Sequence, residues 1–232
     1  LRSAESIKLW PPKPGFTLMI RIKSISSITQ SSTSRGWAGL NTSPACTPCA
    51  LMAWMLMGFA NLAMLPIRVE YLGNPRFGLG LSAAEIAWLT LVIPNGARWI
   101  MSPIWGRLFD RMNFFRLRIT LNAGFAVGIA TFFMSETPMG LIIGAIFYGI
   151  STAGGDVAWG LWVTKVAPPA HVTDYMAVHT FSTGIRGVLA PICAFQAVQT
   201  WSPATMGWIA AAMILAACGL LIPEIRGADS RR

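Results

Sequence analysis

A chain of 232 residues that is 54% hydrophobic and only 12% charged carries about half the charge of an ordinary soluble domain. That excludes a conventional water-soluble fold, and it excludes disorder, which needs low hydrophobicity. The formal charge is +9, but six of the 18 Lys and Arg lie before residue 36 and most others sit at the ends of apolar runs. No basic stripe interleaved with aromatics exists, so nucleic acid is excluded as a partner and a lipid bilayer is the expected one.

Residues 1–49 are rich in Ser, Thr and Pro and hold no persistent helical or strand period. They read as a polar, basic N-terminal segment that is flexible. The abrupt change of character near residue 50 gives a second reading, that this stretch is foreign to the fold. Leu1 in place of Met leads to the expectation of a processed terminus or a fragment. Cys46 and Cys49 form a lone C-x-x-C, without the four ligands of a zinc site or the βαβ setting of a redox motif, so neither metal nor cofactor is expected.

Residues 50–225 read as a six-helix transmembrane domain and 226–232 as a cytoplasmic tail. A spanning helix needs about 20 apolar residues, and six runs approach that length: 50–67, 83–105, 117–134, 139–163, 176–198 and 204–223. They are apolar on all sides, whereas barrel strands alternate. In hydrocarbon each backbone amide must pair within its own segment, which a helix achieves.

The connectors orient the spans. The loop after the second run holds Arg107, Arg111 and Arg116, with Arg118 just beyond; the loop after the fourth holds Lys165; the C-terminus holds Arg226, Arg231 and Arg232. Loops after the third and fifth runs hold no Lys or Arg, while that after the first holds Arg68 and Arg76. The positive-inside rule then places both termini in the cytoplasm. Trp88, Trp105, Trp162, Trp201 and Trp208 lie near run ends, where aromatic rings favour the membrane interface.

Ionisable residues inside spans are unfavourable and mark pathways or partners. Span two carries Asn95 and Arg98, with Ser102 a turn further; span four carries Asp156; span five carries His179, Ser182, Thr183 and Arg186 on one face. Spans three and six read as uncharged. Asp156 is expected to pair with Arg98 or Arg186, to act as a proton-coupling carboxylate, or to sit at the water boundary. His179 reads as a hydrogen-bonded interface residue, and Arg68 with Glu70 and Tyr71 as a local pair or outer gate. Pro94 and Pro191 interrupt spans two and five, a pointer to moving or binding elements. Gly124-x-x-x-Gly128 and Gly140-x-x-x-Gly144 are small-residue steps for close helix packing.

The second loop reads Gly106-Arg-Leu108-Phe-Asp110-Arg111-Met-Asn113-Phe-Phe-Arg116. It resembles the signature loop of the major facilitator superfamily, G-x-L-a-D-R-x-G-R-K, between the second and third helices of each six-helix half. Gly106, Leu108, Asp110 and Arg111 match. Asn113 replaces glycine, a position at which asparagine tolerates φ > 0, and Phe114 and Phe115 replace the basic pair. Gly106 is expected to permit close helix approach. The resemblance implies an all-α membrane protein: six transmembrane helices as two inverted three-helix repeats, forming the C-terminal half of a twelve-helix bundle. It implies that spans three and six face lipid, that Asp110 latches onto a missing N-terminal half, and that Asn95, Arg98, Asp156, His179, Ser182 and Arg186 line the path or the interface between halves. The function implied is a permease moving a small solute by alternating access, with or without a coupling ion, in a bacterial inner (plasma) membrane. The alternatives are a self-contained six-helix channel or assembly subunit and, less favoured, a membrane-embedded enzyme. The last would need a catalytic cluster that His171 and His179, with no acidic cluster beside them, do not supply.

Overall fold

The computed structural model describes residues 48–77, 79–166 and 172–229. The polar N-terminal segment up to residue 47, Cys46, His171, Arg231 and Arg232 lie outside the described residues, as do the side chains of Cys49, Lys165 and Arg226. The described chain forms α1 (Pro48–Gly73), α2 (Ala83–Ala87), α3 (Ile93–Arg111), α4 (Phe114–Met134), α5 (Pro138–Val166), α6 (Val172–Ala197) and α7 (Pro203–Asp229). A π-helical turn, Trp88–Val92, fuses α2 to α3, so 83–111 is one long rod.

Local chemistry sets these boundaries. Gly80 takes φ +51, a left-handed conformation that suits glycine, in the turn before α2. Ser82 and Glu85 close a capping box: Ser82 N–H donates to Glu85 Oε2 at 2.9 Å, and Glu85 N–H donates to Ser82 Oγ. Pro94 lacks an N–H, and its ring crowds the carbonyl four residues earlier. The ladder therefore slips by one residue, with Ile93 N–H reaching Trp88 O, and Asn95 Nδ2 donates to Leu91 O at 2.8 Å. Asn113 caps α4, its side chain accepting from Phe115 N–H at 2.9 Å.

Asn113 has φ −60 and no non-glycine residue described has positive φ. The expectation of a left-handed asparagine is therefore corrected. This residue replaces glycine by acting as a helix cap.

Among the described residues, four helices are long and apolar enough to cross a membrane: Ala50–Gly73, Phe114–Met134, Pro138–Trp162 and Pro203–Pro223. The rod 83–111 and α6 have comparable length. They fall short in composition because they carry Asn95, Arg98 and Ser102, and His179, Ser182, Thr183 and Arg186.

Packing is broad between α4 and α5, α3 and α5, α4 and α7, α1 and α7, and α1 and α6; α5 and α6 touch only thinly. Burial of apolar surface does not drive helices together in lipid, so close approach at small residues does. A Cβ at Gly144 would lie 2.7 Å from Phe132 N, and one at Gly128 3.0 Å from Tyr148 N, which joins α4 to α5. Gly149 similarly seats α5 against Pro94 of α3. The turns gather at two ends. Tyr71 donates to Ser135 O at 3.0 Å and Arg76 to Gln199 O at 3.1 Å, whereas Phe114, after the arginine-rich turn, packs on Trp54 near the start of α1.

Trp88, Trp201 and Trp208 are exposed, but Trp105 and Trp162 are buried inside the bundle, against the expectation that all five mark its interface. Trp105 Nε1 donates to Ile150 O at 2.8 Å, locking α3 to α5. Trp105→Phe removes that bond, and a loss of about 1 kcal/mol is expected in thermal unfolding followed by circular dichroism in detergent.

Candidate functional site

The rod 83–111 and α5 bring two expected residues together. Arg98 Nε lies 2.7 Å from Asp156 Oδ2, with side chains 43% and 51% exposed in this chain. Of the two partners open to Asp156, the structure thus selects Arg98. Ser102, one turn below, turns its hydroxyl back to Arg98 O at 2.7 Å, and Asn95 is exposed above the pair.

On α6, Arg186 is buried and does not snorkel to a surface. Its Nη1 donates to Trp54 O at 2.7 Å and its Nη2 to Thr183 Oγ1 at 2.9 Å. A Cβ at Gly58 would lie 2.5 Å from Arg186 Cζ, so glycine there lets the guanidinium lie flat on α1. His179 has no hydrogen-bond partner at Nε2 among the described residues. It is buried with ring centroids 4.0 Å from Trp159, 5.0 Å from Trp162 and 5.4 Å from Trp54. Ser182 is partly buried on the same helix.

Arg68 does not pair with Glu70. Its guanidinium stacks over Tyr148, 3.4 Å from the ring centroid, while Glu70 accepts from Asn74 Nδ2 at 2.6 Å. An arginine buried among apolar helices finds the face of an aromatic ring the next best thing to an anion.

In the signature turn, Leu108 O accepts from Met112 N–H at 2.8 Å and closes α3. Asp110 and Arg111 are exposed, and neither forms an ion pair among the described residues. Among the described residues nothing lies within 4 Å of a Cβ built on Gly106, so the close approach expected of it is not made there. Phe114 and Phe115, in place of basic residues, are buried, Phe114 against Trp54 and Phe109 and Phe115 against Phe114.

One participant escaped the sequence reading. Arg118 belongs to α4, not to the loop, so span three is charged. Its Nη2 lies 3.5 Å from Met57 Sδ. Its place inside the apolar run 117–134 was the available signal. An apolar cleft of about 150 Å³ between α1, α6 and α7 is lined by residues such as Phe59, Met64, Cys193 and Met206, and by none of the candidate residues.

Among the described residues, helices long and apolar enough to cross a membrane, joined at small-residue crossings, mark an integral membrane protein. The family model of the Major Facilitator Superfamily matches residues 46–231, and the chain belongs to that family of transporters. No curated protein and no solved structure matches the chain.

Proposed function

We propose that the protein is a secondary transporter that moves a small solute by alternating access, its six long helices spanning the membrane as two inverted three-helix repeats. The observation that carries this reading is the Arg98–Asp156 pair, half exposed on a face of the bundle, in a family of transporters. Charges in spans are retained where a path or a moving contact needs them.

The packing supports the repeat. Exchange α1 with α5, the rod 83–111 with α6, and α4 with α7. The α4–α5 packing then becomes α7–α1, α3–α5 becomes α6–α1, and α4–α7 maps onto itself. Pro94 and Pro191 fall in the two elements that correspond. In this reading the six helices form the C-terminal half of a twelve-helix bundle, and the exposed Asp110 faces the other half. The arginine-rich turn and both termini are cytoplasmic by the positive-inside rule.

Two measurements test the proposal. Proteoliposomes containing the chain together with the other six-helix half of the bundle are incubated with a metabolite mixture and the lumen is read by mass spectrometry. At least one solute should accumulate over protein-free vesicles; if none does, the transporter reading fails. In a cysteine-free background, Asp110→Cys should react with a membrane-impermeant thiol reagent from the cytoplasmic face only. Reaction from the outside sinks the topology.

A further inference from the structure

A cluster of hydrogen-bond donors is left without acceptors beside the seam between α5 and α6. Arg186, His179, Trp54 and Trp162 are 6%, 8%, 4% and 2% exposed. Among the described residues, Arg186 Nε, His179 Nε2 and the indole nitrogens of Trp54 and Trp162 have no hydrogen-bond partner. These groups share one place. The rings of Trp54, Trp162 and His179 have centroids 4.5 to 5.4 Å apart, and Arg186 is bonded to the Trp54 carbonyl. Arg118 approaches from α4 through Met57, about one turn along α1 from Trp54, and its Nε is also unpaired. Among the described residues, no carboxylate pairs with Arg118 or Arg186.

A buried cation without a counter-charge is strongly unfavourable, and buried donors require acceptors. Water would bring two more hydrogens into a site already short of acceptors, whereas an ionised carboxylate only accepts. Asn61 Oδ1 on α1 and Asn122 Oδ1 on α4 are unpaired acceptors, about two turns from Trp54 and about one turn from Arg118, but as neutral amides they supply no counter-charge. The walls are aromatic. Arg186 Cζ lies 5.8 Å from the Trp159 ring centroid, and His179 packs on the same indole. The thin contact between α5 and α6 gives an entry route. Each is held broadly by other helices, α5 by α3 and α4, and α6 by α1, so they can part along this line without losing those packings.

We infer that this cluster binds the carboxylate of a small apolar or aromatic organic acid. Arg186 and Arg118 supply the charge, His179 and the indoles of Trp54 and Trp162 supply directed donors, and Trp159 covers the apolar body. As the substrate class of the transporter, this rests on the reading above; as a binding site, it is tested separately.

The test uses the full chain, purified in detergent at constant ionic strength. Tryptophan fluorescence is titrated with benzoate, with its neutral isostere benzamide, and with inorganic phosphate. Benzoate should give a saturable change, benzamide none, and phosphate should bind at least about tenfold more weakly than benzoate. Arg186→Gln should raise the benzoate Kd about tenfold or more, and His179→Gln about threefold or more. An equal response to benzamide, or an unchanged Kd in both variants, overturns the site. Phosphate binding as tightly as benzoate overturns the organic-acid assignment. If Arg186→Gln loses its helical circular dichroism, the His179→Gln titration and the wild-type benzoate–benzamide comparison decide. Solute uptake without benzoate binding removes this inference and leaves the transporter reading; benzoate binding without any solute uptake does the reverse.

Discussion

Gly149→Val is expected to destabilise the bundle by about 3 kcal/mol or more, read as a lower thermal unfolding midpoint by circular dichroism in detergent. A Cβ at this position would stand 2.8 Å from Pro94 Cα and 2.9 Å from its carbonyl carbon, and closer still to the carbonyl oxygen. These are backbone atoms, which cannot rotate aside as a side-chain tip can, so α5 would have to move bodily off α3. Pro94 is fixed in place by the π-helical turn before it, so α3 has little freedom to yield locally. The damage extends to the site. Pro94 meets Gly149 and Arg98 meets Asp156, so the two helices run in the same direction and the ion pair lies about one turn beyond the crossing on α3. Gly219→Ala is the control. Nothing lies within 4 Å of its built Cβ, and relief of glycine's poor helix propensity should leave stability unchanged or raise it by up to about 1 kcal/mol. If Gly149→Val melts with the wild type, the α3–α5 crossing described here is wrong.

How much of this was legible in the sequence follows from what each feature depends on. The four helices Ala50–Gly73, Phe114–Met134, Pro138–Trp162 and Pro203–Pro223 announce themselves because length and apolarity are properties of a single segment. The run 83–105 was legible as a helix, though residues 106–111, read as loop, continue it, and Pro94 was legible as an interruption, but the π-helical form of the interruption arises from how the neighbouring amides re-pair. The glycine steps in spans three and four were legible as packing points, since small side chains at helical spacing have few other uses in lipid. Their partners were not, because α3, α4 and α5 meet only in three dimensions. Asp156 had two basic candidates at bilayer depth, and the α3–α5 packing selects Arg98. Arg118 was counted with the basic turn it adjoins and span three was read as uncharged, although Arg118 lies inside the run 117–134 and belongs to α4. Trp105 and Trp162 followed the rule for aromatic belts by position in the run and broke it by orientation.

Neutralising one member of the Arg98–Asp156 pair is expected to lower uptake at least about tenfold, while neutralising both restores it to within about threefold of wild type. With a side-chain separation of 2.7 Å the two charges offset each other, so the pair is tolerated as a unit where either charge alone is not. Arg98→Gln leaves Asp156 as a lone carboxylate, and Asp156→Asn leaves Arg98 as a lone guanidinium; each remnant seeks a new partner and holds the bundle in one conformation. Arg98→Gln with Asp156→Asn leaves no orphan charge. Both side chains are near half exposure in this chain, so the pair contributes little to the stability of the isolated bundle, and the thermal midpoint should move by under about 1 kcal/mol. Function is therefore the sensitive readout. The measurement is uptake, in proteoliposomes, of the solute found by the metabolite screen, with and without an imposed proton gradient. A contact that breaks and reforms during the cycle predicts recovery in the double variant under both conditions. A proton carried by Asp156 predicts instead that the double variant stays as slow as Asp156→Asn under the gradient and recovers only in solute exchange. Full uptake by Asp156→Asn alone would remove the pair from the mechanism.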